Sequence, residues 1–346
     1  MAMVGLKNVI LAAGLFGISS TGCVSIFNAM ANDTSAEMAV IAPEQENSYE
    51  PSTEIKVVTY NIAHCRGALT YDNMDQLDQD LTIDSPQQVY KCLDDIAEML
   101  VNEDADIALL QEVDKKAVWS YDIDFMPYLA EKAGMRYYAY GARYDFVWWP
   151  FEYQRANGAW IDTVYFNMGN AILSKYPIVS VENKPFDEQS FLDWIAGEEK
   201  YLDSVINIEG KNIRVISAHL DSLDSEVRAR EALRLANEVR NRGMPTVIGG
   251  DFNSILPGAR YLMPLDSEMQ TDNTMNVLTD SGLFEIYMLN VSPADSRYYT
   301  SNTTGLFRTM DYIIPTKDIE IKNYYVVDVE LSDHKPVAAT LLIGRE

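Results

Sequence analysis

From residue 54 onward, short apolar runs alternate with segments in which apolar positions recur every three to four residues. EIKVVTY over 54–60 reads as a strand, and 86–101 predicts a helix because Val89, Leu93, Ile96 and Leu100 share one face. The run DIALL at 106–110 predicts a buried strand that delivers Gln111 and Glu112 at its end. Further strands are predicted over 135–140, 170–173, 212–218 and 246–249, then over 310–314, 324–329 and 337–342. Residues 223–242 read as a charged amphipathic helix closed by Gly243, with Val227, Leu233, Leu235 and Val239 as its core stripe. No fixed-period repeat and no second linker breaks the pattern. One α/β domain over 54–346 is therefore expected, a four-layer α/β/β/α sandwich with two packed mixed β-sheets.

The chain before that domain has a different character. Lys7 is the only charge in residues 1–31 and precedes an apolar run at 9–18, too short to span a bilayer but suited to a signal-peptide core. Gly22-Cys23 resembles a bacterial lipobox, with Ser20 where leucine is usual, whereas Ala29-Met30-Ala31 fits ordinary signal cleavage. Both imply export to an extracytoplasmic location, either lipid-anchored to a membrane through Cys23 or secreted. Residues 32–53, rich in Glu, Asn, Ser and Pro, read as a flexible tether.

A hydrophobic content of 47% rules out global disorder, and 27 basic against 52 acidic residues give a net charge of −25. That acidity argues against broad, sequence-blind nucleic-acid binding, which needs a basic footprint to release counterions. Three cysteines are too few for a disulfide scaffold, and Cys65 and Cys92 are open either to pairing or to service as small core residues.

The polar residues that carry chemistry collect where strands end. Asn61 follows KVVTY, Glu112 follows DIALL, His219 and Asp221 follow NIRVISA, Asp251 and Asn253 follow TVIGG, and Asp333-His334 precedes PVAATL. Two of the three histidines stand at such points, and side chains held at strand ends can converge on one pocket. Hard oxygen donors from Glu112, Asp251, Asp333 and Asn61 suit Mg²⁺ or Mn²⁺, and such a cation with Asp and His can support phosphoryl chemistry. Asp311, in TMDYI, is placed to accept from one ring nitrogen of His334 and fix its tautomer. Arg228 reads first as a structural ion pair and second as a phosphate contact. His64 and Arg66, just after Asn61, read first as exposed loop residues and second as lining the rim of that pocket. The aromatic stretch at 137–153 reads either as a loop packed on its own rings or as a substrate surface. In the second case Trp148, Trp149 and Phe151 would stack on bases or sugars or enter a lipid interface.

Seven motifs in order, TYNI, LLQEVD, GNAILSKYPI, SAHLDS, GGDFN, MDYI and SDHKPV, make the chain resemble the endonuclease/exonuclease/phosphatase superfamily from about residue 55 to 342. Its members include secreted deoxyribonucleases, abasic-site endonucleases, neutral sphingomyelinases and inositol polyphosphate 5-phosphatases. The resemblance implies metal-dependent hydrolysis of a phosphoester, expected to be a diester, by direct attack of water. The substrate is a nucleic acid, a phospholipid headgroup or an inositol phosphate; a sphingomyelinase-like or inositol-phosphatase role is the alternative. It further implies Glu112 as main metal ligand with Asn61 in support and Asp333 beside the metal or the nucleophile. Asp251 would activate water and Asn253 would bind a phosphate oxygen. His334, paired with Asp311, and His219 would stabilise the transition state or protonate the leaving oxygen. Thr309 stands where many members have Arg. A cell-surface binding protein that kept the fold without turnover would be expected to lose such positions, and none is lost.

Overall fold

The computed structural model describes residues 35–41, 54–67, 83–148, 153–155, 157–162, 164–186, 199–259, 270–301 and 308–344. Strands β1 (Ala36–Val40), β2 (Glu54–Asn61), β3 (Ile107–Ala117), β4 (Tyr137–Trp148), β7 (Val164–Ser174), β13 (Ile319–Val326) and β14 (Val337–Ile343) form a seven-stranded sheet in the order β1-β4-β7-β3-β2-β14-β13. Strands β8 (Ile178–Pro185), β9 (Lys200–Ile208), β10 (Lys211–His219), β11 (Thr246–Asp251) and β12 (Asp311–Pro315) form a five-stranded sheet in the order β12-β11-β10-β9-β8. A two-residue pair, β5 (Tyr153–Gln154) and β6 (Trp160–Ile161), stands apart. Each large sheet is mixed, with one parallel pair: β2 with β3, and β10 with β11.

The layers follow from side-chain alternation. Along β2 and β3, Ile55, Val57, Ile107 and Leu109 face the core between the sheets, and Val58, Tyr60, Ala108 and Leu110 face the helices outside. Those helices are α1 (Pro86–Asn102) and α2 (Phe125–Lys132). Helix α1 begins at Ser85, whose hydroxyl accepts from the Gln88 amide while the Gln88 side chain accepts in return, with Pro86 at the first helical position. On the far side, α3 (Ser225–Arg242) and α4 (Thr274–Asp280) pack Ala232, Leu235, Ala236, Met275 and Leu278 onto the five-stranded sheet. Asp224 caps α3 at its start, and Gly243 ends it in the left-handed conformation at φ 56°. The result is the expected four-layer α/β/β/α sandwich.

Several local expectations change. Ala36–Val40, inside the segment read as a tether, pairs antiparallel with β4 at the sheet edge; residues 1–34 and 42–53 lie outside the described residues. The aromatic stretch is a strand for most of its length, and Tyr137, Tyr138, Tyr140 and Tyr144 are buried. The Trp148 side chain and the whole of Trp149 and Phe151 lie outside the described residues. In α3, Leu235 and Val239 are buried as expected, whereas Leu233 is 50% exposed, and the buried face also takes in Arg228, Ala232 and Ala236. Cys65 is buried and Cys92 packs beside the same cluster, both as free thiols.

Candidate active site

Register sets the site. The parallel pair β10/β11 places His219 opposite Asp251, and the antiparallel pair β11/β12 places Asp251 opposite Asp311, so these three side chains start from one row across three strands. The parallel pair β2/β3 places Asn61 opposite Gln111. Pairing of β3 with β7 shifts between Leu110 and Val113, and Glu112 sits in that bulge at φ 55°. A bulge re-aims a side chain, and here the Glu112 carboxylate comes within hydrogen-bond distance of Asn61. Gln111 Nε2 crosses between the sheets to Ser217 Oγ at 3.0 Å, tying the two rows together.

Gly250 allows the second row to form. A Cβ there would lie 1.7 Å from the Ala218 carbonyl oxygen, so the close approach of β10 and β11 requires glycine immediately before Asp251.

Asp251 Oδ2 is the point of convergence. Asn61 Nδ2 donates to it at 3.2 Å, and Nε2 of His219 and of His334 stand 3.5 and 3.6 Å away. The other nitrogen of His334, Nδ1, lies 2.7 Å from Asp311 Oδ2. Asn61 Nδ2 also reaches Glu112 Oε1 at 3.2 Å. The Ser332 hydroxyl lies 2.8 Å from the Asn61 carbonyl oxygen and 3.0 Å from Asp333 Oδ1, which joins the last loop to the same cluster. Asn253, at φ 48°, spends one amide hydrogen on the Leu220 carbonyl at 2.9 Å, and its backbone N–H donates to Asp251 Oδ1 at 2.8 Å.

Protonation follows from these neighbours. Burial opposes charge on His334, but Asp311, Asp251 and Asp333 outweigh it and hold the ring charged well above the usual imidazole range. Burial lowers His219, and the positive charges of Arg143 and His334 oppose the raising pull of Asp251 and Glu112; the ring is neutral. Burial raises Asp251, helped by the charge of Asp311. Burial also raises Asp333, with Glu112 and Asp251 adding to it. For Glu112, burial is overcome by His64, His219 and Asn61, which keep it ionised well below the carboxylate range.

His64 corrects the loop reading. It is buried in a short left-handed turn, with Nε2 3.0 Å from Glu112 Oε2 and Nδ1 2.8 Å from Asp114 Oδ1. Against the burial that disfavours its charge, Asp114 and Glu112 push the ring up to about 9. Arg66 is half-buried, its guanidinium 5.6 Å from the Trp119 ring centroid. Sequence order hides these contacts, because His64 and its two partners lie about fifty residues apart. Arg143, on β4, also went unread. It is buried, pairs with Glu199, and lies over the Tyr144 ring at 4.7 Å.

Arg228 is not a phosphate contact. Its guanidinium has no exposed surface, donates to the Asp221 carbonyl at 2.9 Å and faces Asp272 at 3.4 Å, so it is a buried structural cation. At the position where an Arg is common, Thr309 Oγ1 donates to the Tyr298 carbonyl.

Ligand atoms of Asp251, Asp311 and His334 lie within 4.8 Å of one another. Asp311 Oδ2 is committed to His334, so that trio is suited to moving protons. Glu112 and Asp333 add carboxylate oxygens near that trio, and Asn61 Oδ1 accepts from the Ala63 amide at 3.1 Å, hard donors of the kind a divalent cation takes. The donor set passes the chemical test: carboxylates and an amide without a thiolate, and two carboxyls, Asp333 and Asp251, raised partly by neighbouring negative charge that a divalent cation would neutralise.

The pattern of the Endonuclease/Exonuclease/phosphatase family matches residues 58–334. Among solved structures, an endonuclease/exonuclease/phosphatase from Beutenbergia cavernae DSM 12333 superposes with a TM-score of 0.58 at 17% identity, covering 84% of this chain and 72% of that one. A mannosyl-6-phosphatase of Bacteroides thetaiotaomicron VPI-5482 gives 0.54 at 17% identity, covering 84% and 100%. A D. rerio TDP2 complexed with single-strand DNA product gives 0.52 at 13% identity, covering 83% and 98%. No curated protein matches in sequence. At these identities the superpositions speak for the fold.

Proposed function

This chain belongs to the Endonuclease/Exonuclease/phosphatase family, and from that premise we propose that it is an exported phosphodiesterase that works with a hard divalent cation. The meeting of Asn61, His219 and His334 on Asp251 Oδ2 supports the reading most directly. Asp251, its carboxyl raised by burial, takes the proton of an attacking water. His334, kept as imidazolium by Asp311, donates to a phosphoryl oxygen and offsets the charge that grows there. Neutral His219, with Nε2 3.5 Å from Asp251 Oδ2, orients the water or the leaving group. Glu112, Asn61 and Asp333 would hold Mg²⁺ or Mn²⁺, which when bound supplies charge neutralisation at the phosphate.

Charge favours a diester. Among the described residues, His64 is committed to Glu112 and Asp114 and Arg143 to Glu199, while the His334 imidazolium, held by Asp311 at Nδ1, keeps Nε2 for one phosphoryl oxygen. Such a set suits the single negative charge of a diester better than the double charge of a terminal monoester. Export rests on the leader and tether read over 1–53; the mature N-terminus, a lipidated Cys23 or a residue after Ala31, decides between anchoring and secretion.

The test is hydrolysis of bis-p-nitrophenyl phosphate at fixed Mg²⁺ or Mn²⁺. Glu112→Ala and His334→Ala are each expected to lower the rate by roughly 10²–10⁴-fold. Wild-type rates in both would overturn the site. Faster turnover of p-nitrophenyl phosphate than of the diester would overturn the phosphodiesterase assignment. A panel of DNA, RNA, sphingomyelin, inositol phosphates and a sugar 6-phosphate then identifies the natural class.

A further inference from the structure

A file of hydrogen bonds reaches Glu112 from behind through residues that the reaction leaves unused. Trp119 Nε1 donates to Asp114 Oδ2 at 2.7 Å, Asp114 Oδ1 lies 2.8 Å from His64 Nδ1, and His64 Nε2 lies 3.0 Å from Glu112 Oε2. Asp114 has no exposed surface, and His64 is 6% exposed. Each ring nitrogen of His64 faces a carboxylate oxygen, so the ring is used as a two-ended donor. Glu112 Oε1 takes the Asn61 amide at 3.2 Å, and the carboxylate is therefore gripped at both oxygens. The Trp119 ring meets His64 edge-on, 5.5 Å between centroids, and blocks the imidazole from swinging away.

The backbone is bent to make this possible. Ala63, His64 and Cys65 sit at φ 45°, 56° and 58°, and Glu112 itself sits at 55°. L-residues avoid that region, and two separate segments hold it where their side chains touch. A buried ion pair serving packing alone would not need both partners on left-handed backbone.

We propose that His64, clamped by Asp114 and Trp119, is a positioning residue that fixes the Glu112 carboxylate for the cation and so sets cation affinity. This rests on the reading of Glu112 as a cation ligand. A fixed outer partner spares a ligand the loss of freedom on binding, and removing such a partner typically weakens metal affinity about 10–100-fold. The role differs from that of Asp311 and His334, which act on protons.

The experiment is Mn²⁺ titration of the purified full chain without substrate, read by calorimetry and by the electron paramagnetic resonance of free Mn²⁺, with far-ultraviolet circular dichroism to confirm folding. Glu112→Ala should abolish the site. His64→Ala should weaken Mn²⁺ about 10–100-fold, with His64→Gln, which keeps one donor toward Glu112, recovering part of the loss. In activity assays kcat at saturating Mn²⁺ should change less than the Mn²⁺ concentration for half-maximal rate. Should His64→Ala not fold, His64→Gln and Trp119→Phe carry the test, both expected to bind Mn²⁺ more weakly than wild type. Wild-type or tighter Mn²⁺ affinity in the folded His64 variants, with binding lost in Glu112→Ala, would overturn the positioning role alone. Unchanged affinity in Glu112→Ala would overturn the ligand assignment beneath it.

Discussion

Nδ1 of His334 lies 2.7 Å from Asp311 Oδ2, and Nε2 of the same ring faces Asp251 Oδ2 at 3.6 Å. The aspartate behind the ring fixes which nitrogen faces Asp251 and keeps that nitrogen a donor. Asp311 has no exposed surface, and its Oδ1 has no hydrogen-bond partner among the described residues, so its charge is directed at His334.

Asp311→Asn preserves the shape and removes the charge. It is expected to lower kcat by roughly 10²–10⁴-fold through loss of the imidazolium and its tautomer, with KM within a few-fold. Steady-state kinetics on a diester at saturating Mg²⁺ checks this; an unchanged kcat would remove Asp311 from the proton-handling group.

Gly250→Ala tests the close approach of β10 and β11. A Cβ only 1.7 Å from the Ala218 carbonyl forces the strands apart immediately beside His219 and Asp251. The expected loss is about 3 kcal/mol of stability, with activity gone even where the protein still folds. Urea unfolding and a rate measurement at a folded temperature separate the two effects.

Glu231 offers a pH prediction away from the cation site. It is buried on α3, its Oε2 accepts from the Asp221 amide at 2.8 Å, and burial, with the charges of Glu199 and Asp221, raises its carboxyl well above the usual range. The folded protein then holds this proton more tightly than the unfolded chain. The stabilisation is complete below the unfolded value and is lost as pH rises toward the folded one. Between the two, wild type should lose up to about 1.4 kcal/mol per pH unit relative to Glu231→Gln, which keeps the acceptor without the charge. Chemical denaturation of both proteins across that interval measures it, and parallel curves would refute it.

Much of the architecture was legible because both large sheets are covered on each face. Their inner strands therefore read as apolar runs, and the site residues stand where those runs stop. Strand β9 escaped notice because Lys200 and Asp203 look like surface residues; Asp203 is in fact buried against Arg214, with two contacts of 2.7 Å. Strand β8 escaped because it is a sheet edge on which Val179, Ser180 and Glu182 face outward or lie partly exposed, which hides the period of two. At the site, one-per-strand positions such as Asn61, His219 and Asp251 were readable. His64 was readable only as a loop or rim residue, since its burial depends on Glu112 and Asp114 arriving from another strand. Arg228 shows the converse, a motif position whose cation is spent inside the fold.

The Gln111–Ser217 hydrogen bond spans the gap between the sheets, and the chemistry is divided along the same gap. Asn61 and Glu112 ride on one slab, while His219, Asp251 and Asp311 ride on the other. Catalytic alignment is thus a property of how two rigid plates are stacked. A small slide of one plate over the other would misalign the machinery with every strand intact, so the greasy filling between them, Leu109 and Val215 included, is expected to influence turnover without ever meeting a substrate.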